Sequence, residues 1–340
     1  MKLNLEQIQA VSQGCEEIVL LDEGFEIERF TKAERDAYLT SHLESRIHTT
    51  AGVKLRFKTD AGSIYIKLEA KFTCDRSFFA LDILKNGEMI DSVKNFEDKD
   101  MTGFYSWTEY PLGEYEKTIQ LGDGEKEICL VLPYTVRLYI KEVTLVGASY
   151  ITPVKKEKNI LFYGDSITHG YDAAHPSNCY ASIISEALNC NALVKAVSGE
   201  KFFPELAKIK NSLNPEYVVI AYGTNDWGAG EKEVFNTRSR EFIEAIKENY
   251  PEAKIFVISP IWRKDNVKEN SEIEDIFYIG KKLCQICENM DKVYYIDGWN
   301  LVSHDENLFG DLRLHPNDNG FKEYAKNLLS EIKNIFEFYT

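Results

Sequence analysis

Ile160-Leu161-Phe162-Tyr163-Gly164-Asp165-Ser166-Ile167-Thr168 is the stretch from which the rest of the chain is read. Four consecutive apolar residues, then a glycine and a polar run, describe a strand buried on both faces that ends in a turn. Four further strand patterns follow, at residues 192–197, 217–222, 254–259 and 293–297. Helical patterns separate them, notably 231–249 and 269–290. A last one, 318–336, repeats Phe321, Tyr324, Ala325, Leu328, Leu329 and Ile332 at helical spacing. Continuous apolar strands alternating with helices predict an α/β domain, a parallel sheet covered on both faces. Such sheets bind ligands at the carboxyl ends of their strands. Ser166 therefore sits at the rim where chemistry is expected.

The chain before residue 158 reads differently. Val53, Leu55 and Phe57 alternate with Lys54, Arg56 and Lys58; Ile64, Ile66 and Leu68 alternate with Tyr65, Lys67 and Glu69. A period of two means strands with one wet face. Asp60-Ala61-Gly62 is expected to join those two runs as a hairpin, and Asn86-Gly87 to turn a second one, because Asn-Gly tolerates positive φ. Gly122-Asp123-Gly124 separates two more runs. Many short strands with turn punctuation predict an all-β sandwich, jelly-roll-like. The proline and charges of Thr152-Pro153-Val154-Lys155-Lys156-Glu157-Lys158 mark the boundary, giving a sandwich over 1–152 and an α/β domain over 153–340.

Composition narrows the partners. Against 40 Lys and Arg stand 55 Asp and Glu, a net charge of -15. That disfavours nucleic acid and anionic membrane, which need positive charge to neutralise phosphate, and favours a neutral small molecule or oligosaccharide. No apolar run is long enough to span a bilayer, and the first residues carry no cleavage pattern, so a cytoplasmic location is expected. The seven cysteines are scattered and read as free thiols. Cys284 and Cys287 form a CxxC inside a helical pattern with no second pair, which fits a buried helix face better than zinc or redox chemistry. Oligomeric state is not legible.

Three segments converge on one chemistry. Ser166 is a nucleophile candidate, and a serine hydroxyl needs a base to take its proton. Thr168 stands where the GxSxG elbow needs glycine, so this is not that motif. The phosphate-binding fingerprints also fail, since neither GxGxxG nor a Lys-Ser/Thr ending is present. His315, in His315-Pro316-Asn317, is the base candidate; His169, three residues after Ser166, is its rival. Asn225, in Gly223-Thr224-Asn225-Asp226, can offer its amide to an oxyanion, and Gly199 lets a backbone N–H approach a substrate closely. Taken singly, a helix-capping serine, a loop asparagine and a turn glycine are the commoner roles.

Together, Ser166, Gly199, Asn225 and His315 resemble the four blocks of the SGNH hydrolases, or GDSL-type esterases. The likeness runs from about residue 158 to 336 and implies a flavodoxin-like three-layer α/β/α fold. The second block is partial: Val194 stands where the family has an asparagine five residues before the glycine. The family usually places an aspartate three residues before the histidine, where this chain has Leu312. Asp311 is the expected orienter of His315, reached across a helical turn. A backbone carbonyl would instead leave a Ser–His dyad, and Asp305 is a further substitute. The sandwich-then-SGNH layout is similar to two-domain acetyl esterases acting on sugars. Gly170-Tyr171-Asp172-Ala173 and Pro260-Ile261-Trp262-Arg263 resemble blocks of that group, and the latter reads either as a pocket wall, with Trp262 stacking on a sugar ring and Arg263 binding an acceptor oxygen, or equally as a surface loop around a half-buried tryptophan.

The resemblance implies a serine esterase that removes short acyl groups, acetyl first, from carbohydrate. Ser166, His315 and Asp311 would be catalytic, and Ser166, Gly199 and Asn225 would form the oxyanion hole. Neither metal nor organic cofactor is called for. The rival readings are a lipase or thioesterase for longer chains, and a carbohydrate-binding protein on an inactive scaffold. The intact Ser166, Asn225 and His315 set opposes the last.

Overall fold

Among the described residues, eleven strands precede Lys158, and their pairings nest one inside another. Phe25–Glu28 pairs with Val136–Val146, Lys54–Thr59 with Lys126–Val131, Ser63–Phe72 with Gly113–Gln120, and Ala80–Lys85 with Glu88–Lys94, all antiparallel. This nesting is a jelly roll: the pairs fall alternately into two facing sheets. The structure is a computed structural model and describes residues 1–73 and 75–338, with side chains to 336. Alternation sets which face is dry. Along Ser63–Phe72 the side chains of Ile64, Ile66 and Leu68 are fully buried against Leu55, Phe57, Ile128 and Leu130 of the other sheet. Each such side chain contributes roughly 1.5–3 kcal/mol on leaving water.

One expectation for this half is corrected. Residues 60–62 do not make a hairpin, because Lys54–Thr59 and Ser63–Phe72 lie in different sheets. The segment is the corner where the chain crosses between them, and Lys126 Nζ donates to Ala61 O there at 2.7 Å. Two short helices accompany the sandwich strands. Helices Leu5–Val11 and Lys32–Tyr38 both begin on capping boxes, Asn4 with Gln7 and Thr31 with Glu34. The Asn86-Gly87 hairpin forms as expected, both residues at positive φ (51° and 88°).

Past Ile151–Pro153, the last strand of the sandwich, the chain enters the parallel sheet at Lys158–Gly164. Its five strands run Cys190–Val194, Lys158–Gly164, Tyr217–Ala221, Lys254–Ile258, Val293–Ile296 in space, a 2-1-3-4-5 order. That is the flavodoxin-like doubly wound arrangement. Ile160, Phe162, Val219 and Phe256 face the helices Tyr180–Ala187 and Asp318–Phe338. Leu161, Tyr163, Val218 and Ile255 face Lys232–Asn249 and Phe277–Cys287 on the other side. The expected helix over 269–290 is shorter, because Asn270 adopts φ 60° and Val267 bridges to Asp275 ahead of it. Cys287 packs in the core on that helix, and Cys284 and Cys287 are free thiols.

The two halves meet through buried charge. Arg29 is fully buried and donates to the carbonyls of Val194 (2.6 Å) and Ala196 (2.9 Å). Lys195, equally buried, donates to Glu16 (2.9 Å), Glu34 (2.7 Å) and Arg29 O (2.7 Å). Unpaired, each of these charges would cost several kcal/mol to bury. The contacts therefore fix the sandwich against the strand that leads to Gly199.

Candidate active site

Ser166 opens the short helix Ser166–His169, capped by Asp165, whose carboxylate accepts from Ile167 N at 3.0 Å. The tight turn off Lys158–Gly164 leaves the Ser166 N–H at a helix start, where backbone donors have no intrahelical partner. Ser166 Oγ lies 2.8 Å from His315 Nε2. His315 Nδ1 lies 2.8 Å from Asp311 Oδ2. The other Asp311 oxygen accepts the N–H groups of Arg313 (3.0 Å), Leu314 (2.7 Å) and His315 (3.1 Å). Burial pushes the Asp311 carboxyl up, but the hydrogen bond and charge of His315 and those backbone donors outweigh it and hold the group well below the usual carboxylate range.

The route from Asp311 to His315 is not the helical turn expected from their spacing. Residues 311–316 form an irregular bend in which Leu312 takes φ 53°, an uncommon conformation for a bulky side chain. That bend folds the chain around Asp311. Asn317 then caps the final helix, its Oδ1 accepting from Asn319 N and Gly320 N at 3.1 Å each. Asp305 is exposed and caps the 3-10 turn Glu306–Leu308 instead of approaching His315.

His169 is not a base. It is buried, its Nδ1 accepts from Ser198 N (3.1 Å), and its Nε2 faces Tyr134 O (3.0 Å) and Thr49 Oγ1 (2.8 Å). Burial and the Arg29 charge hold it well below the ordinary histidine value, hence neutral. Its role is to hold the residue before Gly199. Gly199 has φ +82°, and a Cβ there would lie 2.8 Å from Arg46 Nη1, so any side chain would collide with the guanidinium that binds Ser198 O at 2.7 Å. Asn225 Nδ2 donates to Glu200 O at 2.9 Å, which ties the asparagine to the peptide following Gly199. Val194, at the position of the family's asparagine, is core, and Arg29 takes its carbonyl.

A buried carboxyl stands beside each of Ser166, Gly199 and Asn225 in sequence: Asp165, Glu200 and Asp226. Burial raises them to about 6, 8 and 7 respectively. Glu200 is held by Tyr222 OH (2.7 Å) and Tyr38 OH. Sequence reasoning did not find Tyr38 or Arg46; the Thr31/Glu34 capping box was the available signal that their segment is ordered.

The expected substrate contacts fall differently. Arg263 is buried with its guanidinium on Asp265 (3.0 and 2.9 Å) and on Thr224 Oγ1 (2.8 Å), stacked over Trp227. It thereby braces Thr224, the residue before Asn225. Trp262 is half-buried, stacked on His304 (centroids 5.5 Å apart, 15°) and against Phe309. Its stacking surface is thus partly taken by the protein.

Asp172, unremarked in the sequence beyond its block, lies 3.8 Å from His315 Nδ1. Asp172, Asp311 and His315 bring ligand-type atoms within 4.8 Å of one another, as do Glu26, Glu28 and His48. The hydrogen bonds already on Asp311 suit it to orienting an imidazole. A cavity of about 240 Å³ opens at Gly199, with Leu43, Phe202, Phe203 and Val234 among its walls; Ser166 is outside it.

The model of the GDSL-like Lipase/Acylhydrolase family matches residues 162–322. No curated protein matches the chain in sequence. Among solved structures it is similar to a salicylyl-acyltransferase of a tetracycline biosynthetic pathway, at 20% identity and TM-score 0.78 over 95% of this chain and 94% of that one. It is similar to a family two carbohydrate esterase from Clostridium thermocellum at 17% identity and TM-score 0.62, over 85% and 93%. An acetyl xylan esterase from the rumen bacterium Butyrivibrio proteoclasticus aligns over 100% and 99%, at 14% identity and TM-score 0.62. At these identities the likeness is one of fold.

Proposed function

Since its residues 162–322 belong to the GDSL-like lipase/acylhydrolase family of carboxylic ester hydrolases, we propose that this chain removes short acyl groups, acetyl above all, from carbohydrate esters. The observation that carries the reading is the line Ser166 Oγ–His315 Nε2–His315 Nδ1–Asp311 Oδ2, with 2.8 Å at both hydrogen bonds. Ser166 Oγ attacks the ester carbonyl while His315 takes its proton; Asp311 fixes the tautomer that leaves Nε2 free to do so. The tetrahedral oxyanion is held by the N–H groups of Ser166 and Gly199 and by the Asn225 amide. One amide hydrogen of Asn225 is already committed to Glu200 O, which aims the other. His315 then protonates the leaving alcohol, and water, activated by the same imidazole, releases the acyl group from Ser166.

The carbohydrate part draws on the shared two-domain fold with a carbohydrate esterase and an acetyl xylan esterase, and on a net charge of -15 that fits a neutral substrate. A second reading has one observation in its favour: the 240 Å³ cavity at Gly199, walled by Leu43, Phe202, Phe203 and Val234 together with polar and charged side chains, has room for more than a methyl group. Hydrolysis of 4-nitrophenyl esters from two to eight carbons decides. We expect the two-carbon ester to be cleaved fastest and Ser166→Ala to abolish turnover. A rate rising to eight carbons selects the longer-chain reading, and undiminished turnover by Ser166→Ala overturns both.

A further inference from the structure

Trp107, on the sandwich loop after Tyr105 and Ser106, is 56% exposed, yet it is not on a loose segment. Arg76 lies under one face of the indole, its Cζ 4.1 Å from a ring centroid. The Arg76 side chain is itself fully buried, so the exposed surface of the indole is the side away from the protein. Arg76 Nε donates to Asp172 at 2.8 Å, Ser106 Oγ donates to the other Asp172 oxygen, and Tyr105 OH donates to Asp172 O. Tyr105 N donates to Gly310 O at 3.1 Å. A Cβ on Gly310 would lie 2.7 Å from the Tyr105 ring, so the loop seats directly on the residue before Asp311.

From these contacts we infer that the free face of Trp107 is a stacking platform for a pyranose ring of the substrate's alcohol portion, supplied to the esterase site by the sandwich. Three adjoining contacts lead from the indole to the base: Trp107 on Arg76, Arg76 on Asp172, and Asp172 beside His315. Sugar rings present flat C–H faces, and an indole is the side chain that best covers one while leaving the hydroxyls in water. The cation beneath holds the ring flat and rigid, so little freedom is lost when a sugar docks. Trp262, by contrast, already stacks on His304. This inference rests on the carbohydrate-ester reading.

The test compares glucose pentaacetate with ethyl acetate, an ester with no ring. For Trp107→Ala we expect kcat/KM on the sugar ester to fall about five- to ten-fold through KM, with ethyl acetate unaffected. Trp107→Phe should recover most of the loss. Equal loss on both esters, or none on the sugar, overturns the platform. A wild type that cleaves ethyl acetate but not glucose pentaacetate overturns the carbohydrate reading itself, and the platform with it.

Discussion

Arg76 donates Nε to Asp172 Oδ1 at 2.8 Å, and both side chains are fully buried although they come from different halves of the chain. The second Asp172 oxygen faces His315 Nδ1 at 3.8 Å. The carboxylate next to the proposed base is therefore neutralised by the sandwich. A buried carboxylate without a cation is far costlier than a paired one.

Arg76→Met should lower stability by about 3–5 kcal/mol, because it strands the Asp172 charge. The double variant Arg76→Met/Asp172→Asn should lose less than the sum of the singles. Urea unfolding of the four proteins measures this. Strictly additive losses would mean that the two residues act independently.

Asp311→Asn keeps an acceptor for the backbone N–H groups but can no longer enforce the tautomer of His315. We expect kcat on 4-nitrophenyl acetate to fall by about 10⁴-fold with little change in KM. A fall under ten-fold would assign ring orientation either to Asp172, as an alternative third member, or to the backbone, leaving a Ser–His dyad.

Asn225→Ala should reduce kcat by about 10²–10³-fold, since the oxyanion exists only along the reaction path. KM should hold. A raised KM with kcat intact would make Asn225 a substrate-binding group.

Glu200 gives a pH signature. Burial raises its carboxyl from 4.5 to about 8, against the opposing hydrogen bonds of Tyr222 and Tyr38. Between those values the folded protein keeps a proton that the unfolded chain has released. Its share of stability is therefore full below about pH 4.5 and falls as pH rises towards 8, by up to about 1.4 kcal/mol per pH unit. Glu200→Gln should flatten the decline in urea midpoint between pH 5 and 8. Asp226 and Asp165, raised to about 7 and 6, leave a residual slope of the same sign. An unchanged slope in the variant would show that Glu200 is ionised in the folded protein.

The α/β half was legible because its strands are buried on both faces, so Ile160–Tyr163 and their counterparts read as unbroken apolar runs. Ser166, Asn225 and His315 stood out by following such strands or preceding the last helix. Asp311 was expected beside His315 from spacing, but the bend that brings the two together depends on the left-handed φ of Leu312, which nothing in a leucine announces. The pairing of Arg263 with Asp265, two residues on, was not read from the sequence. The corner at 60–62 looked like a hairpin because alternation marks strands without saying which sheet they join. Asp172 and Trp107 acquire their meaning only from Arg76, almost a hundred residues before the aspartate, and no local pattern carries that.

The nested pairing of the sandwich also sets a timetable. Its innermost hairpin, around Asn86-Gly87, can close as soon as it is made, but Phe25–Glu28 must wait for Val136–Val146. At roughly 5–20 residues per second, a ribosome takes about 5–20 s to cover that interval. Throughout it, one edge of the strand Phe25-Glu26-Ile27-Glu28 stays open on the nascent chain. Pairings so distant in sequence are slow to form even in the finished molecule. During biogenesis this protein is most exposed to misassembly in its first half, before the segment bearing Ser166 has been synthesised.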